Sequence, residues 1–169
     1  MKRKTIIAII GGGAQTCTQE ACDIAFKVGK LLIDNGYRVI SGGYGGIMEA
    51  VSKGARSSEK HQDGDIIGVI QSLQPNDANE YCDIVIATGM SYARNQIITA
   101  SGDAVVAIGG GSGTLSEIAF AWQIGKPIFA FNIQGWSGEL VGKKLDNKRS
   151  DTIISIDSPE NLVNLLKRL

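Results

Sequence analysis

Three glycine clusters, at residues 11–13, 42–46 and 109–113, each follow a short apolar run and precede a stretch with helical periodicity. This pattern constrains the fold more than any other feature of the chain. A continuous apolar strand, a glycine turn and an amphipathic helix make half of a βαβ unit. The unit recurs along the whole length.

Apolar runs at 6–10, 37–40, 66–70, 84–87, 104–108, 128–131 and 152–156 read as strands. They are continuous rather than alternating, which fits strands covered on both faces. Residues 18–35 read as a helix with Ala21, Ile24, Ala25, Val28, Leu31 and Leu32 on one face. Gly36 stands where a helix end takes a left-handed residue. Further helices are expected at 47–57, 92–100 and 114–124, the last stopping at Gly125. Ser158, Pro159 and Glu160 start a final helix running to Leu169. Residues 71–80 read as a loop around Pro75. Residues 134–150 read as a loop with room for one helical turn. The fold class is therefore α/β: a doubly wound parallel sheet with helices on both faces, in a single domain over residues 1–169.

Composition narrows the function. The chain has 169 residues, 43% hydrophobic and 20% charged, with net charge zero. No basic stripe is present, so nucleic-acid binding is not expected. The 22 glycines are about twice the usual share of roughly 7% and are clustered rather than spread. Cys17, Cys22 and Cys82 form no C-x-x-C pair, and His61 is the one histidine. No metal site is expected, and reduced thiols in the cytoplasm are. Lys2, Arg3 and Lys4 ahead of residues 6–10 mimic the start of a signal peptide. The apolar run is too short for one and reads better as a buried strand. No segment is long enough to cross a membrane.

In a doubly wound sheet the glycine turns fall at the carboxyl ends of the strands, where ligands bind. Each following helix offers free N–H groups and a partial positive charge, which suit a phosphate. Neither a strict G-x-G-x-x-G nor a G-x-x-x-x-G-K-[ST] is present, which disfavours P-loop chemistry. Glycines that only permit tight turns are the alternative. Two ionisable residues are expected at the same edge. Arg94 can clamp a phosphate or a ribose, or can lie on the surface near a helix start. Glu117 can orient a water or face a developing oxocarbenium ion. It also completes a T-x-x-E capping box from Thr114, which needs no chemistry. His61 is expected in solvent and Trp122 in the core. Trp136 can cover a ligand or anchor a loop.

The stretches SGGYGGIMEA at 41–50 and GGGSGTLSE at 109–117 resemble the paired motifs of the LOG (lonely guy) superfamily, long labelled possible lysine decarboxylases. The resemblance runs from Ile6 to about Phe131. It implies a Rossmann-like fold, dimers with sites near the interface, and one of two activities. The superfamily includes cytokinin-activating phosphoribohydrolases, which cleave a nucleoside 5′-monophosphate to base and ribose 5-phosphate. It also includes molybdenum cofactor carrier proteins. The hydrolase motif is P-G-G-x-G-T-x-x-E with an upstream R-K pair. Arg94 matches the arginine and Glu117 the glutamate, as a catalytic pair. Gly110, Gly111, Ser112, Gly113 and Thr114 would hold phosphate, with Gly12, Gly13, Gly42, Gly43, Gly45, Gly46, Met90 and Asn95 completing the site. Gly109 replaces the motif proline and Asn95 the lysine, and GMSYARN at 89–95 is closer to the carrier-like branch. The expected ligand is a nucleotide, phosphate or molybdopterin-type molecule, with no required cofactor. Arg94 and Glu117 together favour the enzyme, and the segment around Met90 favours the carrier. Pyridoxal phosphate chemistry has no candidate Schiff-base lysine.

Overall fold

The computed structural model describes residues 3–169. Seven strands form one parallel sheet: β1 (Ile6–Gly11), β2 (Arg38–Ser41), β3 (Ile66–Ile70), β4 (Ile84–Ala87), β5 (Ala104–Ile108), β6 (Ile128–Phe131) and β7 (Ile154–Ile156). Their order across the sheet is β4-β3-β2-β1-β5-β6-β7. The chain winds outward from β1 to β4, then returns to the other side of β1 as β5. The order therefore reverses between β1 and β5, which pair from Ile7↔Ala104 to Gly11↔Ile108. That reversal opens a crevice at the carboxyl ends of the two strands.

Six helices cover the sheet: α1 (Gln19–Asp34), α2 (Ile47–Arg56), α3 (Asn95–Ser101), α4 (Ser112–Gln123), α5 (Trp136–Leu140) and α6 (Pro159–Leu166). One apolar core lies under α1, α2 and α6, with Ile7, Ile9, Val39, Val106 and Phe129 from the strands. The second lies under α3, α4 and α5, with Ala8, Ile10, Ile40, Val69 and Val105. Alternate strand residues feed the two cores, as a two-sided sheet requires. Trp122 lies in the second core, and its indole N–H donates to Asp146.

The helix ends follow their local chemistry. Thr18 caps α1, its hydroxyl accepting from Ala21 N–H at 3.2 Å. Gly36 is left-handed at φ +81° just beyond the helix. Ser158 caps α6 and Pro159 fills its first position.

The structure departs from the sequence expectations at three places here. Cys17 and Cys22 are joined in a disulfide rather than free, and Cys82 is the free cysteine. Cys17 precedes the Thr18 cap and Cys22 follows it by one turn. Those two positions adjoin across a helix start, and their Cα atoms are 6.3 Å apart. His61 is not solvated. Its Nε2 sits 2.9 Å from Asp83 Oδ2, and its side chain is largely covered. The expected helix at 92–100 divides into a 3₁₀ turn, Ser91–Arg94, and α3. Among the described residues, no helix is long and apolar enough to cross a membrane.

Candidate functional site

Three adjacent strands, β2, β1 and β5, deliver the three glycine turns to one edge of the sheet. A cavity of about 610 Å³ opens between them. Gly11, Gly12, Gly13, Ala14, Gln15 and Thr16 form the wall after β1. Gly42, Tyr44, Gly45 and Met48 form the wall after β2. Gly111, Ser112, Gly113, Thr114 and Glu117 come from the start of α4, and Tyr92, Arg94 and Asn95 from the start of α3.

The turn after β5 sets the anion-binding geometry. Gly109 and Gly110 are both left-handed, at φ +61° and +90°. Non-glycine residues adopt such backbone only at a cost. A Cβ on Gly110 would also overlap the Thr114 hydroxyl. The chain then enters α4 with Gly111 as the cap residue, which has no side chain to offer. The N–H groups of Ser112, Gly113 and Thr114 cannot bond within the helix. They meet no protein acceptor among the described residues.

The helix therefore begins two residues earlier than the sequence suggests. Thr114 is not its cap, and Glu117 lies in the second turn. The capping-box account of Glu117 is corrected by that start. Glu117 is 7% exposed, and its carboxylate receives no hydrogen bond among the described residues. Burial pushes its pKa up to about 7, with the nearby Arg94 charge opposing the rise. The carboxyl group thus sits close to half-protonated near neutrality.

Arg94 is buried rather than on the surface, 5% exposed at the junction of the 3₁₀ turn and α3. Its guanidinium lies against Gly42, where any Cβ would overlap the two terminal nitrogens. Glycine at that position is what lets the arginine in. The guanidinium also lies 6.0 Å from the centre of the Tyr44 ring. Among the described residues its Nε has no hydrogen-bond partner, and no ion pair within 4 Å joins Arg94 to Glu117. The one other buried side-chain nitrogen without a hydrogen bond among the described residues, Arg38 Nε, has Asp65 at 3.5 Å. Burial lowers the Arg94 pKa from its ordinary value, while Glu117 and Tyr44 pull it back. A buried cation and a buried carboxyl, each lacking a close partner, converge on the same cavity.

The other expected residues divide. Gly12, Gly13, Gly42, Gly45, Asn95, Gly111, Ser112, Gly113 and Thr114 line the cavity. Gly43, Gly46, Met90 and Gly110 do not. Gly43 and Gly46 are left-handed turn residues, and Gly46 packs on the backbone of Gly12 and Gly13. Met90 is half-exposed outside. Tyr44, Met48, Gln15, Thr16, Gln71 and Tyr92 also line the cavity and were not singled out from the sequence. Tyr44 carried a signal, as the one side chain within a run of four glycines. Its hydroxyl accepts from Gln71 and Ser72 N–H, both at 3.0 Å, which holds the ring beside Arg94.

Fold and cavity together define a Rossmann-like α/β protein with a glycine-lined site at the topological switch point. The chain belongs to the SLOG cluster4 family, whose pattern matches residues 4–163. It is 43% identical over 122 residues to an uncharacterized protein of Archaeoglobus fulgidus, covering 72% of this chain and 76% of that one. It is 30% identical over 144 residues to a probable cytokinin riboside 5′-monophosphate phosphoribohydrolase of Oryza sativa subsp. japonica. That match covers 80% of this chain but only 56% of the rice protein, so the chain spans about half that relative's length. Among solved structures, the molybdenum cofactor binding protein of Rippkaea orientalis superposes with a TM-score of 0.86 at 35% identity. The match covers 99% of this chain and 98% of that one.

Proposed function

We propose that this protein binds a nucleoside 5′-monophosphate in the switch-point cavity and hydrolyses its N-glycosidic bond. The observation that carries the reading is the pair of buried, unpartnered groups, Arg94 and Glu117, beside a helix start with free N–H groups. Buried charges normally keep partners, and a ligand that supplies them explains their retention. The phosphate takes the N–H groups of Ser112, Gly113 and Thr114, and Arg94 adds its charge. Glu117 faces C1′ of the ribose. As the C1′–N bond breaks, its carboxylate opposes the positive charge on the sugar and takes a proton from a water. That water's oxygen bonds C1′, and the proton passes from Glu117 to the departing base. A group with a pKa of about 7 can both accept and return the proton near neutrality. The products are free base and ribose 5-phosphate.

In this proposal the protein acts in the cytoplasm as a homodimer or higher homo-oligomer on a small phosphate-bearing ligand, with no nucleic-acid or membrane partner. An apolar patch supports the dimer. Ile84 and Ile86 of the edge strand β4 face the α3 side of the sheet and are exposed, and Leu73, Met90 and Tyr92, in the segments that follow β3 and β4, are exposed as well. A second copy covering this patch would close one rim of the cavity.

A second reading, a carrier that holds a phosphate-bearing pterin cofactor without cleaving it, is supported by the full-length similarity to the Rippkaea protein. Incubation with a panel of nucleoside 5′-monophosphates, with free base and ribose 5-phosphate quantified by chromatography, separates the two. Equimolar release of both products from at least one nucleotide supports the hydrolase. Tight binding with no release from any member overturns it and favours the carrier.

A further inference from the structure

The stretch after β6 packs against the outside of the phosphate-facing turn. Ser137 is fully buried, and its hydroxyl accepts from Gly109 N–H at 2.8 Å while donating to the Phe131 carbonyl at 2.7 Å. Ser137 N–H donates back to the Gly109 carbonyl at 3.1 Å, and Trp136 N–H donates to the Gly110 carbonyl at 3.0 Å. Gly135, at φ +116°, lies so close that a Cβ there would sit 2.7 Å from the Gly109 carbonyl carbon. Two consecutive left-handed residues have little intrinsic preference for one shape. Here three hydrogen bonds from residues 136–137 fix them, and the Phe131 carbonyl anchors the hydroxyl to the end of β6.

We propose that Ser137 is a positioning residue for the ligand site. It sets the backbone of Gly109 and Gly110, and so aims the N–H groups of Ser112, Gly113 and Thr114 into the cavity. The inference rests on the phosphate reading of that turn. Ser137 does not line the cavity, and its hydroxyl bonds only the Gly109 N–H and the Phe131 carbonyl, so its effect reaches the ligand through the glycine backbone. The strut also assigns work to a segment whose sequence has no periodicity. Gly135, Trp136 and Ser137 form the brace, and Trp136 serves through its backbone rather than its ring.

The test uses ribose 5-phosphate as the probe, with affinity by calorimetry and the amide resonances of residues 111–114 by NMR. The wild type, Ser137→Ala, Ser137→Cys and Ser58→Ala are compared. Ser137→Cys fills the site with a slightly larger and weaker hydrogen-bonding group, leaves no cavity, and so guards against a cavity-driven folding failure of the alanine variant. Ser58 is a buried hydroxyl paired with Asp34 far from the cavity, and serves as the stability control. We expect both Ser137 variants to bind about tenfold more weakly. The amides of 111–114 should be displaced already in the free protein. Ser58→Ala, destabilised to a similar extent, should keep wild-type affinity and shifts. If the wild type binds through 111–114 and the folded Ser137 variants bind within about twofold of it, the positioning role falls alone. If the wild type shows no shift at 111–114, the phosphate reading falls and the role falls with it.

Discussion

The two ends of the sheet treat buried charge in opposite ways. At the amino ends of the strands every buried carboxylate is matched. Asp65 meets Lys4 at 2.8 Å and Arg38 at 3.5 Å, and accepts from Gln62 N–H. Asp83 meets Arg56 at 2.8 Å and His61 at 2.9 Å, and accepts from Ile66 N–H. At the carboxyl ends Arg94 and Glu117 are also buried and have no such partners among the described residues. Burial of an unpaired charge is costly. One edge therefore serves stability, tying strand starts together. The other stores an unmet electrostatic demand, which is the mark of a site that a ligand completes.

Substitutions at the two edges should separate stability from activity. Asp83→Ala takes an acceptor from Arg56, His61 and the Ile66 N–H, while the half-exposed Arg56 keeps the Tyr81 carbonyl, and should cost about 1–3 kcal/mol in urea unfolding. A loss below about 1 kcal/mol would mean that the lower edge is not the stabilising one. Glu117→Gln should do the reverse, lowering kcat by at least about 10²-fold while the fold is kept. A large fall in melting temperature would return Glu117 to a structural role.

The pH dependence sharpens the same contrast. Folding raises the Glu117 pKa from 4.5 to about 7, so the folded chain holds a proton there that the unfolded chain has released. Its contribution is fully present below about 4.5 and is lost as pH rises through about 7. The loss is on the order of 3 kcal/mol. Glu117→Gln should flatten that slope and be the more stable protein at about pH 8. Chemical denaturation of both proteins across this range checks it, and parallel curves would contradict it. The smallest effect is expected from Arg94→Ala. It should weaken ribose 5-phosphate binding about tenfold with little change in stability, because the cation it removes has no close protein partner. Unchanged affinity in titration would take Arg94 out of the site.

Much of the upper edge was legible from the sequence, and the reason is local. Glycine after an apolar run marks a strand-to-helix turn wherever it occurs, and the parallel topology brings such turns together. The start of α4 was misread because Thr114 and Glu117 have capping-box spacing. The true cap, Gly111, has no side chain and leaves no such signal. The burial of Arg94 depends on Gly42, which is 52 residues earlier, in the turn after β2. No local pattern reports that contact. The Asp83 cluster was hidden for the same reason, since His61 stands in a polar stretch and meets its partner only through β3 and β4 pairing. The Cys17–Cys22 bridge carries no C-x-x-C signature, and only the places of the two cysteines around the Thr18 cap bring them together.

The central claim is that a phosphate-bearing ligand completes the Arg94–Glu117 pair. Calorimetric titration of ribose 5-phosphate at about pH 7.5, in buffers of different ionisation enthalpy, tests it by counting protons as well as heat. The phosphate adds negative charge near Glu117 and neutralises the arginine that opposes its protonation. Both effects push its pKa further up. Binding should therefore draw a fraction of a proton from solution in the wild type, and the Glu117-dependent part of that uptake should disappear in Glu117→Gln. No binding, or binding with the same proton count in both proteins, would contradict the account.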